Sequence, residues 1–266
     1  MKKKILPALL FISFYANAQN DTAQITIGNS NQNKKIVAIQ ETKIEAQKHI
    51  VVKSYILPAA FISYGLASLG NNLVHRIDIN TKTELQEDHA GFITKIDNYL
   101  QYSPAAVVYA LNAFGVKGEN NFPDRTFIYG LTTLISSAAV LSLKSITKVE
   151  RPDASGNNSF PSGHTTTAFA AAAFLQHEYK NVSPWYGVAG YAAATATGII
   201  RLYNNKHWVS DVVAGAGVGI ISTKLAYLIY PVIKRKLFKN KSMSAVVVPY
   251  YQQHSGGLSM LYNFHQ

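Results

Sequence analysis

The sequence predicts an all-α protein, a bundle of six helices that a lipid bilayer could enclose, followed by a small C-terminal β-hairpin. Three observations predict this fold. Long stretches without charged residues recur along the 266-residue chain. Glycine, proline and charged residues separate these stretches. Near the C-terminus, valine, tyrosine and leucine alternate with other residues, as in short strands. The chain has no cysteine, so no disulfide contributes to the fold.

The N-terminal region has the composition of a secretory signal. Residues 1–18 comprise three lysines, an apolar stretch and the small-residue sequence Ala16-Asn17-Ala18, which is typical of a cleavage site. An uncleaved anchor is the alternative interpretation. Residues 19–50 are rich in Asn, Gln, Thr and Lys and are predicted to form a flexible lead. The main domain is predicted at 51–240, and 241–266 form a tail that is either the hairpin or a partly ordered segment.

Six helical segments are predicted in the main domain, at 54–70, 103–116, 126–147, 162–177, 184–200 and 208–233. Three uncharged stretches, which begin after Lys53, Arg125 and Lys180, are about 20 residues long, near the length that spans a bilayer. Their many small residues suit close packing in a membrane or in a soluble bundle, and the mean hydropathy of the chain is only +0.03. The charged stretch 79–101 is predicted to form one interfacial or surface helix.

Three cations occur in the second half of this domain, at Lys144, Arg151 and Arg201. Lys144 and Arg151 are seven residues apart, which would place them two turns apart on one face of a helix that Pro152 ends. Cations around the equatorial oxygens are what phosphoryl transfer requires, and arginine suits bidentate phosphate contacts. The three residues therefore indicate a phosphate site.

His207 and Asp211 follow the third cation. Because they are four residues apart, they share a face if they lie on one helix. The Asp211 carboxylate can then accept the Nδ1–H of the imidazole and fix its tautomer, and the other ring nitrogen is left free as a nucleophile. This pair predicts nucleophilic catalysis beside the cations.

The segment Ser162-Gly163-His164 follows Pro161 and opens an alanine-rich stretch at 165–174. We interpret it as a loop that enters a helix N-terminus, where free N–H groups and the helix dipole attract anions. Gly163 allows close approach of the backbone, and the Ser162 hydroxyl either caps the helix or binds the phosphate. His164 would lie beside the bound group and protonate a leaving alkoxide.

The spacings Lys-x6-Arg-Pro, Pro-Ser-Gly-His and Arg-x5-His-x3-Asp together resemble those of the type 2 phosphatidic acid phosphatase (PAP2) superfamily. Each motif alone is typical of an ordinary helix end, and only their combination is specific. The superfamily includes lipid phosphatases, bacterial class A acid phosphatases and vanadium haloperoxidases. The resemblance covers roughly residues 51–233 and implies a PAP2-like six-helix bundle. One departure is Ile200, which stands where many members have serine.

The resemblance implies a role for each motif residue. His207 would be the nucleophile that forms a phosphohistidine, Asp211 would orient it, and His164 would act as acid and then as base. The phosphoryl oxygens would be bound by Lys144, Arg151, Ser162, Gly163 and Arg201. The resemblance implies no metal and no cofactor, and the sequence shows no carboxylate cluster or His/Cys spacing typical of a metal site.

The distribution of charge along the chain indicates which side of a membrane each segment would face. The net charge is +11, and lysines and arginines concentrate before the first helix, between the second and third, and at 234–241. Basic ends beside apolar helices favour anionic lipid over nucleic acid, and no obligate protein partner is evident. The positive-inside rule makes these segments cytoplasmic and the motifs periplasmic. A cleaved signal followed by three spans would instead leave Lys144 inside, and a soluble periplasmic bundle is the further alternative.

Four functions are compatible with the sequence. The leading hypothesis is a metal-independent phosphatase that acts on a lipid phosphate or diphosphate in the bacterial cell envelope, because apolar helices flank the motifs. A soluble, non-specific acid phosphatase that takes small phosphomonoesters is favoured by the signal and the low hydropathy. A vanadium haloperoxidase would use the same pocket for vanadate, although the chain is short for one. A non-enzymatic envelope protein is disfavoured, because nucleophile, orienting carboxylate and acid are all present.

Overall fold

The structure, a computed structural model, describes residues 53–70, 73–237, 244–252 and 255–263. The signal at 1–18 and the lead at 19–50 lie outside the described residues. The helices are α1 at 53–67, α2 (Leu73–Asp88), α3 (Asp97–Leu100), α4 (Ser103–Ala113), α5 (Phe122–Thr147), α6 (Gly163–Tyr179), α7 (Pro184–Tyr203) and α8 (Val209–Leu237), and the strands are β1 (Ser244–Gln252) and β2 (Ser255–Asn263).

The prediction of an all-α main domain is confirmed. Each of the six predicted segments overlaps one helix, namely α1, α4, α5, α6, α7 or α8. Helices α2 and α3 were not separately predicted. The stretch 79–101, predicted as one helix, is divided because α2 ends at Asp88 and Gly91 adopts a left-handed backbone conformation with φ of 77°. The short helix α3 then begins at Asp97.

Helix α6 is the centre of the bundle. Its alanine-rich middle is buried from Ala170 to Leu175, and it packs against α4, α5, α7 and α8. Small residues allow α8 to pass very close to it: a Cβ added to Gly215 would lie 2.7 Å from the Ser162 carbonyl oxygen. This close approach places the N-terminus of α8 beside the N-terminus of α6.

One local prediction about the motifs is wrong. Helix α5 ends at Thr147, because Lys148 takes a left-handed conformation with φ of 50°. Arg151 therefore does not share a helical face with Lys144, and Pro152 does not end that helix. Helix α8 begins at Val209, one residue after its predicted start, and His207 precedes it. In both cases a loop, rather than a helical repeat, brings the residues of the motif together.

Two helices in the described residues are long and apolar enough to cross a membrane, Phe122–Thr147 and Val209–Lys236. Much of α5 faces outward, with Leu134 and Leu141 each 67% exposed. The uncharged stretch after Lys53 is interrupted by a turn at 68–70, and α7 is not among the apolar helices. Within the described residues, the stretch in α5 is therefore the one of the three predicted stretches that is long and apolar enough to cross a membrane.

The two strands of the tail form an antiparallel pair. Their register runs from Ser244 opposite Asn263 to Gln252 opposite Ser255. The alternation in the sequence at 244–264 is the pattern that such a pair requires.

Candidate active site

The predicted site residues meet at one end of the bundle. Helices α5 and α7 end there, and α6 and α8 begin there. Each motif lies at one of these helix ends, so the antiparallel packing joins segments that are distant in sequence. The eight predicted residues in this region are Lys144, Arg151, Ser162, Gly163, His164, Arg201, His207 and Asp211.

His207 and Asp211 form the contact that the sequence predicts. The His207 Nδ1 lies 3.4 Å from the Asp211 Oδ2, and both side chains are almost fully buried. The same Oδ2 accepts the backbone N–H of Trp208 at 2.9 Å and the hydroxyl of Ser159 at 2.5 Å. The Ser159 Oγ is itself 3.4 Å from Nδ1. The carboxylate is therefore held in place by two donors and faces the ring from the Nδ1 side.

Burial sets the protonation state of His207. It lowers the pKa of the imidazole to about 4, and the cations Arg201 and Lys144 act in the same direction, against the opposing effect of Asp211. A ring with this pKa is neutral at pH 7. With a proton on Nδ1 directed towards Asp211, the lone pair is on Nε2, which is the state that a nucleophile needs.

The N-terminus of α6 offers free amide groups. The Ser162 side chain is its cap, because Oγ accepts the N–H of Thr165 at 3.4 Å and the Thr165 hydroxyl at 2.9 Å. Of the two roles predicted for the Ser162 hydroxyl, the structure shows the helix cap. A direct contact of this hydroxyl with phosphate stays a prediction. The N–H groups of Gly163 and His164 have no acceptor in the described part of the chain, so they can bind an anion.

Two of the cations contact no carboxylate among the described residues. Lys144 Nζ donates to the backbone carbonyls of Asn158 and Ser159, the latter at 3.2 Å. Arg151 donates from Nε to the Asn158 side-chain oxygen at 2.7 Å and from Nη1 to the Lys206 carbonyl at 3.3 Å. Burial and the neighbouring Arg201 lower the pKa of Arg151, although an arginine stays charged. The two positive charges are thus held by neutral atoms only.

Arg201, the third cation, is paired. Its Nη1 lies 2.6 Å from Oδ2 of Asp97, a buried residue of α3. Among the described residues, the Nε of Arg201 is buried and has no hydrogen-bond partner, and the same holds for Nε and Nη1 of Arg125 at the other end of the bundle. The unpaired donor alone therefore does not identify a ligand site, but at Arg201 a phosphoryl oxygen would satisfy it.

The second histidine also contacts α3. His164 Nε2 lies 2.8 Å from Oδ1 of Asn98. Sequence reasoning missed Asp97, Asn98 and Ser159. Asp97 and Asn98 lie in a stretch interpreted as a single surface helix, 104 and 66 residues from their partners. Ser159 stands two residues before Pro161, and that closeness to the second motif is the only sequence signal that could have indicated it.

A cavity of about 510 Å³ opens beside the site. Glu150, Trp208 and Ser210 contribute to its wall, and these residues are the sequence neighbours of Arg151, His207 and Asp211. In the described residues, no group of three or more His, Cys, Asp or Glu side chains could hold a metal ion.

Comparison with known proteins confirms the resemblance. Residues 153–235 match the family model of the PAP2 superfamily, a range that includes the second and third motifs and leaves out Lys144 and Arg151. Among curated proteins, the lipid A 1-phosphatase of Porphyromonas gingivalis is 42% identical over 165 residues. That alignment covers 61% of this chain and 37% of the relative, so the chain spans little more than a third of the relative's length.

Two solved structures resemble parts of the fold. The crystal structure of Aquifex aeolicus LpxE is 22% identical, covers 55% of this chain and 93% of its own, and has a TM-score of 0.42. The transmembrane PAP2-type phosphatidylglycerolphosphate phosphatase from Bacillus subtilis is 19% identical, covers 67% of this chain and 98% of its own, and has a TM-score of 0.49.

Proposed function

We propose that this chain, which carries a PAP2 superfamily domain, is a metal-independent phosphatase that hydrolyses a lipid phosphate through a phosphohistidine on His207. One observation carries the proposal. A buried neutral imidazole, held by Asp211 through Nδ1, lies at a site where Lys144 and Arg151 contact no carboxylate in the described residues. A nucleophile beside uncompensated positive charge suits a phosphoryl group.

The phosphate would be bound before the chemistry begins. Lys144, Arg151 and the free Nε of Arg201 would neutralise the phosphoryl oxygens, and the N–H groups of Gly163 and His164 would donate from the start of α6. These donors are fixed by the fold, so they need little rearrangement when charge develops in the transition state. Fixed cations of this kind supply the electrostatic stabilisation that a metal ion supplies elsewhere.

The reaction would then proceed in two steps. The Nε2 of His207 attacks phosphorus, the bond from phosphorus to the leaving oxygen breaks, and His164 gives that oxygen a proton. Asp211 stabilises the charge that develops on the His207 ring. In the second step His164 removes a proton from water, water attacks phosphorus, and the phosphorus–nitrogen bond breaks. Inorganic phosphate leaves and His207 returns to its neutral form.

A lipid is the substrate class that the surroundings favour. Helix α5 is long and apolar enough to span a bilayer and exposes large aliphatic side chains. Exposed apolar side chains also occur close to the site, at Ile93, Ile96 and Tyr99. The P. gingivalis relative is a lipid A 1-phosphatase, so lipid A 1-phosphate is the first substrate to test.

The charge distribution supports a periplasm-facing site. Several basic residues lie at the helix ends opposite to the motifs. They are Lys117 after α4, Lys180 after α6, and Lys234, Arg235 and Lys236 in the last turn of α8. By the positive-inside rule that end is cytoplasmic and the site is periplasmic. The proposed location is therefore the bacterial inner membrane, with the catalytic end outward.

The decisive experiment assays the purified full chain in detergent against lipid A 1-phosphate, phosphatidate, an isoprenyl diphosphate and p-nitrophenyl phosphate. We expect turnover of a lipid substrate, full activity in EDTA, and inhibition by orthovanadate, which occupies a phosphate site. Brief reaction with a 32P-labelled substrate should leave acid-labile label on the protein, and His207→Ala should remove that label.

Three results would contradict the proposal. Loss of activity in EDTA that Mg²⁺ or Zn²⁺ restores would show metal-dependent hydrolysis. Turnover of p-nitrophenyl phosphate with none of the lipids would favour a non-specific acid phosphatase. Halide oxidation by the vanadate-loaded protein, without phosphatase activity, would place the chain in a different reaction class.

A further inference from the structure

Helix α3 contacts two of the predicted site residues. Asp97 is only 1% exposed, and its Oδ2 accepts from Arg201 Nη1 at 2.6 Å. The next residue, Asn98, places Oδ1 at 2.8 Å from His164 Nε2. Neither contact belongs to the three motifs. A helix of four residues thus supplies partners for a phosphate-binding cation and for the proposed general acid.

Helix α3 is held against the site by the end of α7. Asn204 caps α7 and exchanges two hydrogen bonds of 2.9 Å with the backbone of Thr94, one in each direction. The Tyr203 ring contacts the rings of His89 and Phe92 edge to face, with centroid distances of 5.0 and 5.5 Å. The segment before α3 is therefore fixed by residues that adjoin Arg201 in sequence.

The chemistry of the Asn98 contact assigns a proton. An amide oxygen accepts hydrogen bonds and is too weak a base to take a proton, so His164 Nε2 must carry hydrogen. The proton that the ring gains and loses then belongs to Nδ1. This is the arrangement that orients a catalytic histidine when a partner occupies one ring nitrogen.

We propose that Asn98 is a positioning residue: it holds His164 by Nε2–H and reserves Nδ1 for proton exchange with the substrate, while Asp97 anchors α3 on Arg201. This inference rests on the proposed function, because it assigns how the general acid of that reaction is oriented. During the first step Nδ1–H passes to the leaving oxygen, and the neutral ring that remains is the Nε2–H tautomer that Asn98 binds. Water returns a proton to Nδ1 in the second step.

The tautomer can be tested without measuring turnover. Nitrogen NMR of the full chain, labelled with 15N-histidine in detergent micelles, reports which ring nitrogen carries hydrogen. We expect His164, assigned by its loss in His164→Gln, to be the Nε2–H tautomer at neutral pH. In Asn98→Ala the signal should shift towards a mixture. An Nδ1–H tautomer in the wild type, or the same spectrum in both proteins, would overturn the inference.

The kinetic test uses the dependence on the leaving group. General acid catalysis contributes roughly 10²- to 10⁴-fold for a poor leaving group and little for a good one. Because kcat/KM reports the steps up to release of the leaving group and not the later hydrolysis, Asn98→Ala should lower kcat/KM about tenfold on dioctanoyl phosphatidate, or on lipid A 1-phosphate if only that lipid is turned over, and less than twofold on p-nitrophenyl phosphate. Asn98→Asp, which keeps an acceptor oxygen, should restore most of the activity on the lipid.

Lys95→Ala is the matched control, because Lys95 lies two residues before the same helix and its side chain is exposed. We expect it to leave the ratio of the two activities unchanged when the lipid is supplied in micelles. An equal loss on both substrates in Asn98→Ala would mean that Asn98 only supports the fold, and the inference would fail while the phosphatase proposal stood. An inactive wild type would instead reject the phosphatase, and the NMR result would still decide the tautomer.

Discussion

The bundle contains a buried arginine near each end, and the two arginines have different surroundings. Arg125, near the start of α5, lies 3.5 Å from the Glu178 carboxylate at the end of α6. Arg201 pairs with Asp97 at the other end. Lys144 lies twenty residues after Asp124 on α5, so the two ends are about 30 Å apart along that helix.

At the Arg125 end the charges are balanced. Glu178 accepts hydrogen bonds from the backbone and side chain of Asn120 and from the hydroxyl of Tyr227, and faces Arg125. Nearby, Asp124 binds Lys234 at 2.6 Å. Each cation named here has a carboxylate partner, as buried charges in a structural network require.

At the motif end two cations have no carboxylate partner among the described residues. Asp97 pairs with Arg201, Asp153 pairs with Lys206 and Asp211 faces His207, whereas Lys144 and Arg151 make no ion pair. Free N–H groups at the start of α6 add to the positive potential. The difference indicates that charge left uncompensated by the fold, rather than burial of charge as such, distinguishes a ligand site from a structural network.

The strongest loss of activity is expected from a change at the motif end. His207→Ala removes the proposed nucleophile and should lower kcat by roughly 10⁴-fold or more. When catalytic residues act as a unit, loss of the nucleophile alone costs about as much as loss of the whole unit. Its melting temperature should stay near that of the wild type. The control is His177→Ala, at the opposite end of α6, which should keep its activity. Substantial turnover by His207→Ala would show that His207 is not the nucleophile.

The next effect is on stability at the balanced end. Glu178→Gln leaves Arg125 buried without a charged partner, and breaking such a pair costs about 3–5 kcal/mol of unfolding free energy. Activity per folded molecule should stay within twofold. The change can be measured by denaturant titration in detergent, with exposed Glu119→Gln as the control. If Glu178→Gln impaired catalysis without lowering stability, the proposed division between the ends would be incorrect.

Single cysteines at exposed positions should leave activity and stability almost unchanged. Labelling them reports which side of the membrane each end of the bundle faces. Because the chain has no cysteine, a single one can be introduced at exposed Asn157 near the motifs or at exposed Val182 beyond α6. In intact cells a membrane-impermeant maleimide, added with the outer membrane permeabilised, should label Asn157→Cys and spare Val182→Cys. Labelling of both would indicate a periplasmic bundle, and labelling of Val182→Cys alone would reverse the topology.

The elements at the motif end could be predicted to different degrees. The all-α class follows from the length and spacing of uncharged stretches, and α5 and α6 were predicted within a few residues of their observed limits. The interpretation that put Lys144 and Arg151 on one helix was wrong, because Lys148 adopts a left-handed conformation that its side chain does not indicate. Helix α3 has four residues and no apolar period from which it could be recognised.

The chemical groups of the site could be identified from local spacing. Short motifs contain Lys144, Arg151, His164, Arg201, His207 and Asp211, and the spacing within a motif is a local property. The groups that complete them could be found only from the way the helices pack. Asp97, Asn98 and Ser159 reach their partners across 104, 66 and 52 residues. Such contacts exist because α6, α7 and α8 pack closely at small residues, and packing depends on the whole chain rather than on neighbouring residues.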